Sequence, residues 1–468
     1  MVSQLPGTAS QGVQLPIPAA ILVAALTAGV VAQGGYYEPG RLLVLVLVMV
    51  AVVWTVRVRQ LAQPVPIACA ALALWALLRD PTLEAFAALA TLVGFAGAFL
   101  VLQRLSTAAR ERFADGVVAV GALVAVTAWA GVAWRLPMLV VLVENKLWRG
   151  ASTLTYPNAA AAFVVPIALL VIARPPTWSR KIVAYLLLAG VGAALSRAGF
   201  IALLAGLVVL AVRMGVKATL ARATPPLIGA AIAVAALAPS FQAAGPPHPV
   251  VAVAGLLAGG VVAIGGARIA VLLVAALVLA VRPDTAALAS RANLDSWGRS
   301  EAARAALDLV AEHPLIGAGV GPARFIWDRP DGNASVALYA HNEYLQLLVD
   351  LGAIGVVLLL VLFAAIVVTV KRGWSSPLAA GAVAGLVALA VHSGFDFLWH
   401  IPVLPLLGGL LIGLTAARRS EEAQPEQQHA QPPEQPEQQP EETPEQPEQQ
   451  HAEPTQPPVH VPILKGAP

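Results

Sequence analysis

Cysteine is almost missing from this chain: its 468 residues contain only Cys69. An intramolecular disulfide is therefore excluded. The place of Cys69 inside the apolar run from Pro64 to Leu78 makes it a small buried hydrophobe rather than a reactive thiol. Charge is nearly as scarce. Asp, Glu, Lys and Arg together make up 12% of the residues while 58% are hydrophobic, and the mean hydropathy is +0.76, whereas soluble domains are roughly 45–50% apolar. Such a chain cannot clothe itself for water and belongs in a bilayer. The small excess of base, a formal +3, is spread over short loops and forms no stripe, which excludes a nucleic-acid surface. Zinc-site spacing is missing too, since no pair of histidines stands at HExxH. The glycines of GAGVGP, Gly317, Gly319 and Gly321, lack the strand before and the helix after that a nucleotide fingerprint requires. They read as a flexible turn.

What the chain has in abundance is apolar runs near the length of about 20 residues that a spanning helix needs, or somewhat less where polar ends snorkel. They fall at 17–33, 41–56, 62–78, 85–103, 115–134, 157–173, 182–196, 198–213, 225–240, 249–264, 267–281, 352–370, 377–395 and 400–417. The predicted fold is an all-α polytopic membrane helix bundle of about 12–14 spans with a helical extracytoplasmic segment. Its parts are N-terminal spans over 1–149, central spans over 150–281, an outer loop with short helices over 282–350, C-terminal spans over 351–417 and a tail over 418–468. The first run follows a polar start with no basic residue and no small-residue cleavage site, so it reads as a retained span. In the tail, repeats such as PEQQHAQPPEQPEQQP leave nothing apolar to bury, which predicts a disordered spacer.

Orientation follows from the basic residues of the short loops. Alternate loops carry Arg57 and Arg59; Arg104, Arg110 and Arg112; Arg174, Arg180 and Lys181; Arg213, Lys217 and Arg222; Arg268; Lys371 and Arg372; and Arg418 and Arg419. These loops, and both termini, are placed on the cytoplasmic side. The same alternation puts two longer segments outside, Arg135 to Tyr156 and Arg282 to Asp350.

Polar residues gather in those outer segments. Residues 300–312, SEAARAALDLVAE, place Ala302, Ala303, Ala306, Leu307 and Val310 on one helical face with Arg304 and Asp308 on the other, as in a helix lying on the membrane surface. A second helix is expected to begin near His341 and to meet the membrane near Gly352. At a helix start the dipole favours neutral imidazole, able to take a proton, whereas a phosphate bound there would favour the cation. Arg197 interrupts a long apolar stretch and Arg299 opens a helix where a cation opposes the dipole, so each calls for an anion, either a protein carboxylate or a ligand. Asn158, after Pro157, either caps a span or serves the site. His392 and Asp396, four apart near the outer end of a span, either satisfy one another or act functionally.

Four blocks carry a resemblance to a known family: STLTYPNAAA (152–161), LSRAGF (195–200), GRSEAARAALDLVAEHPLIGAGVGPARF (298–325) and AHNEYLQLLVDLGAIG (340–355). In kind and order they resemble the O-antigen ligase and polymerase family of bacterial envelope glycosyltransferases. The likeness covers roughly residues 150–417. It implies an undecaprenyl-diphosphate-linked glycan as donor, no nucleotide sugar, no cofactor and no required metal. The implied acceptor is a hydroxyl on a glycan, lipid or protein at the outer face of the cytoplasmic membrane. Carried over by motif, His341 would activate that hydroxyl while Arg197 and Arg299 hold the diphosphate; Asn158, Asn342, Glu343, Tyr344 and Arg304 would bind substrate. Diphosphate leaves readily once arginines neutralise it, which fits that assignment. The Ala-, Val- and Gly-heavy composition leaves the acceptor open, and the same family includes polymerases. A transporter or flippase of lipid-linked oligosaccharides is the competing class, but it would carry its ionisable residues near the bilayer midplane rather than at one face.

Overall fold

The computed structural model describes residues 15–143, 147–265, 297–321, 325–328, 333–371, 373–374 and 376–416. Ten helices come first: α1 (Ile17–Val31), α2 (Glu38–Thr55), α3 (Pro64–Arg79), α4 (Leu83–Leu102), α5 (Thr107–Trp134), α6 (Pro157–Ala173), α7 (Trp178–Ala193), α8 (Arg197–Met214), α9 (Val216–Phe241) and α10 (Pro249–Gly265). Four follow: α11 (Trp297–Glu312), α12 (Glu343–Lys371), α13 (Pro377–Ser393) and α14 (Val403–Thr415). Two antiparallel hairpins complete the described fold, β1 (Val140–Val143) with β2 (Leu147–Gly150) and β3 (Phe325–Asp328) with β4 (Ala334–Ala337). The protein is thus an all-α polytopic membrane protein. Every expected run but one coincides with a helix; the run 267–281 lies outside the described residues, as do Arg268, Arg372, Arg418, Arg419 and the tail.

Helix starts obey local chemistry. Thr82, Ser106, Thr177, Ser196 and Ser376 each accept a backbone N–H three residues on, and proline stands in the first turn of α3, α6 and α13, where its missing donor costs nothing. Among the described residues six helices are long and apolar enough to cross a membrane, and six shorter apolar helices accompany them. Apart from Asn158, α6 is apolar all round, and every one of its residues is buried, the pattern of a helix enclosed by others. α5, α7, α8 and α13 enclose it.

Among the described residues, basic groups of the loops after α4, α6 and α8 meet at one end of the bundle. Arg174, at the C-terminus of α6, forms ion pairs with Glu111 at 2.7 Å and Asp115 at 2.6 Å on α5. Arg110 donates to Leu102, Gln103 and Ala416 carbonyls, tying α5 to the ends of α4 and α14. At the opposite end sit the starts of α6, α8 and α12 and the end of α13, together with both hairpins.

Two expectations for the outer segment are corrected. Leu307 is exposed, and the buried stripe of α11 runs instead through Ala302 and Ala306, which are fully buried. That stripe packs with Phe325 of β3, Ala340 and Val349 of α12, so α11 seals against protein. The glycine stretch from Gly317 to Val320 is a clamp rather than a flexible turn. Gly317 (φ +74°) and Gly352 (φ +67°), which kinks α12, face each other so closely that a Cβ on either would fall 2.4 or 2.3 Å from backbone oxygen. Only glycine accepts both the conformation and the approach. Backbone bonds cross the contact from Ala318 to Val349, Gly319 to Asp350, Ala353 to Pro314 and Ile354 to Leu315. Arg79 of α3 adds bonds to the carbonyls of Ile316 and Gly317, and Thr82 one to Val320.

Candidate active site

Asp396, in the turn after α13, is the centre of a polar cluster and is fully buried. Its Oδ1 accepts from the Phe397 backbone N–H at 3.0 Å and faces His341 Nδ1 at 3.1 Å. Its Oδ2 accepts from the Tyr156 hydroxyl at 2.6 Å and from the Asn158 amide, and lies 3.5 Å from Arg299 Nη2. Burial alone would raise the Asp396 pKa, but the hydrogen bond from His341 and the charge of Arg299 outweigh it and pull the carboxyl down to about 2. Tyr156 moves the other way: burial, with the Asp396 charge beside it, raises its hydroxyl well above the usual range, so it remains a donor.

An ionised carboxylate only accepts, so His341 Nδ1 carries a proton, and Nε2 is the ring atom left to face a substrate. No described residue bonds Nε2. The backbone at His341 is left-handed, φ +51°, a region that His visits more readily than most residues yet at a cost of roughly 1–3 kcal/mol. The chain turns there because α12 begins two residues later. Asn342 is its cap, its side-chain oxygen accepting from Tyr344 N at 3.0 Å and Leu345 N at 3.2 Å.

Of the expected site residues, the structure brings four into one cluster. His341, Arg299 and Asn158 meet on Asp396, and Arg197, first residue of α8, feels the charge of Arg299. Arg299 also donates to the Phe395 carbonyl at 3.2 Å, and through Asp396 the anion it calls for includes a protein carboxylate. Asn158 caps nothing. Its oxygen accepts from Arg149 at 2.8 Å, and Arg149 reaches on to the Ala194 carbonyl, joining β2, α6 and the α7–α8 turn.

The other four turn their side chains elsewhere. Asn342 caps α12, as described. Glu343 is buried, accepting from the Trp399 N–H and facing His400 Nδ1 at 3.3 Å. Tyr344 donates to the Ala390 carbonyl at 2.6 Å and packs edge-on to Trp399. Arg304 pairs with Glu301 at 2.6 Å on the exposed face of α11, not with Asp308. His392 does not satisfy Asp396 either; it is fully buried and both its ring nitrogens lack a hydrogen-bond partner among the described residues.

Sequence reasoning missed Tyr156, Arg149 and Phe397, and of the two readings it left open for His392 and Asp396, mutual satisfaction is not what the fold shows. The Phe397 ring stacks on Tyr156 at 5.1 Å and Tyr339 at 4.7 Å and meets His341 edge-on at 5.2 Å. His400 contacts the Tyr339 ring at 4.4 Å; burial would lower its pKa, but the Glu343 charge prevails and raises it. Two carboxylate–histidine pairs, Asp396 with His341 and Glu343 with His400, therefore cross-link the turn 394–401 to the start of α12. A His held by a carboxylate with a nitrogen beyond, with the Arg299 guanidinium on the same carboxylate, can take a proton from a hydroxyl while an anionic leaving group is neutralised. No described group of three or more His, Cys, Asp or Glu is placed to hold a metal.

A family model described as O-antigen ligase matches residues 182–360, from α7 to the middle of α12. The match includes Arg197, Arg299 and His341 and stops short of Asp396. No curated protein matches the chain.

Proposed function

With an O-antigen ligase domain over residues 182–360 as the premise, we propose that this membrane protein moves a glycan from an undecaprenyl-diphosphate-linked donor to an acceptor hydroxyl on the outer face of the cytoplasmic membrane. The observation that carries the reading is the His341–Asp396 pair at 3.1 Å with Arg299 alongside.

His341 Nε2 takes the proton of the acceptor hydroxyl as its oxygen attacks the anomeric carbon. Asp396 fixes the tautomer and offsets the charge that builds on the ring. The bond from that carbon to the diphosphate oxygen breaks, and undecaprenyl diphosphate leaves with its charge held by Arg299 and Arg197, which supply bidentate donors where other transferases use a metal. Direct attack inverts the anomeric centre. Asn158 and Tyr156 hold Asp396 from the far side, so they position rather than react.

Purified protein in nanodiscs, given a lipid-diphosphate oligosaccharide, a panel of acceptors and EDTA, tests this. Transfer by wild type, loss of it in His341→Ala with donor binding kept, and an inverted product are the expected results. Movement of the lipid across the bilayer without transfer would instead favour a flippase, and chain extension on a lipid-linked repeat would make the protein a polymerase of the same family.

A further inference from the structure

The Glu343–His400 pair lies outside the proposed proton transfer, but it joins the same two segments of chain. Glu343, first residue of α12, follows His341 by two residues; its buried Oε1 stands 3.3 Å from His400 Nδ1 and accepts the Trp399 N–H. His400 stands four residues after Asp396 in the turn 394–401. Turn and helix start are thus tied twice, by Asp396 to His341 at 3.1 Å and by Glu343 to His400.

The second tie reaches the first through a row of rings. His400 lies against Tyr339 at 4.4 Å, Tyr339 stacks on Phe397 at 4.7 Å, and Phe397 meets the His341 ring edge-on at 5.2 Å. The Ala340 N–H donates to Gln346 Oε1 at 2.9 Å and Gln346 donates to Asp350 at 2.9 Å, so the backbone just before His341 is held as well. A left-handed residue persists only where its surroundings over-determine it, and His341 is such a residue.

Burial alone would lower the His400 pKa, but Glu343, by charge and hydrogen bond, and then Asp350 outweigh it and raise it, with Arg41 of α2 opposing. Of the other elements against it, the segment before α12 brings Tyr339, α13 has only His392 to titrate and α14 has nothing.

We propose that His400, held by Glu343, is a positioning residue for His341: it keeps the turn 394–401 seated on the start of α12, so that Asp396 and Phe397 hold the imidazole in its working orientation. This rests on the transferase reading given above, and His400 acts in it through its neighbours. The pair is strongest while His400 is charged. Its contribution to turnover is therefore complete below about 6.5 and is lost as pH rises through the raised folded value.

The test follows kcat and KM against pH for the full chain in nanodiscs, with the lipid-diphosphate oligosaccharide and the acceptor that wild type uses. His400→Gln is expected to lower kcat roughly 10- to 100-fold, to leave both KM values unchanged and to remove the alkaline fall. Glu343→Gln keeps the shape and is expected to move that fall to lower pH. His400→Lys restores a cation opposite Glu343 and is expected to recover activity and move the fall to higher pH. A raised KM with kcat kept would make His400 a substrate contact, and an alkaline fall unmoved in all three variants would belong to another group; either result overturns the proposal. Histidine labelled with nitrogen-15 gives a readout without turnover: the His341 Nδ1–H signal is expected to weaken in wild type over the same alkaline range and at every pH in His400→Gln. The wild-type titration needs no variant, so a misfolded His400→Gln leaves the test intact. A protein that transfers nothing while this signal follows His400 loses the transferase reading and keeps the coupling, whereas transfer with a signal indifferent to His400 sinks the coupling alone.

Discussion

At the scale of single residues, the proposed chemistry turns on Asp396 through its contact with His341. Asp396→Asn keeps the shape but removes the charge that fixes His341 Nδ1–H, so kcat is expected to fall by about 10²–10⁴ while donor affinity changes little; steady-state kinetics with donor binding measured separately checks this. The two carboxylate–histidine pairs also give opposite pH signatures. Asp396 is depressed to about 2, so its contribution to stability is present above the unfolded value of about 3.9 and is lost only as pH falls toward 2. His400 is raised, so its contribution is complete below about 6.5 and is lost as pH rises through the folded value. Thermal unfolding of wild type and His400→Gln across pH is expected to show the curves converging on the alkaline side. Sequence alone offered His341, Arg299, Arg197 and Asn158 because each sits in a short, unusual block. It could offer only His392 as a partner for Asp396 because helical spacing of four is a local signal, whereas the partner found in the fold, His341, is 55 residues away.

Among the elements, the kinked α12 and the turn before it are held by backbone, which explains why periodicity could not foresee the clamp. Apolar pattern reads side-chain faces, and the Gly317–Gly352 contact has no side chains to read. Gly317→Ala and Gly352→Ala are each expected to destabilise the protein by on the order of 1–3 kcal/mol or more, since the added Cβ meets both a strained φ and a backbone atom. Thermal unfolding in detergent would show it, and Gly321→Ala, whose Cβ meets nothing within 4 Å, is the control. The spans themselves were legible, since long apolar runs admit little other than helix. Leu307 was misplaced because the stripe of α11 is set by the neighbour it packs on, Phe325 and Val349, and not by a flat membrane surface.

For the molecule as a whole, the gathering of basic loops at one end makes a sidedness that can be tested directly, and the buried Cys69, alone in the chain, leaves little background. A membrane-impermeant maleimide added to intact cells is expected to label Ala334→Cys and to spare Ser179→Cys, in line with the excess of base on the cytoplasmic side; the reverse pattern would put the site inside. The enclosed helix α6 has a further consequence, for synthesis. Its Asn158 bonds Asp396 across 238 residues of sequence, and α13, one of the helices that enclose it, is among the last to be made. Chains emerge N-terminus first, so α6 must wait in lipid, and a ribosome stalled before residue 377 is expected to leave an inserted chain whose outer histidine has no carboxylate to hold it.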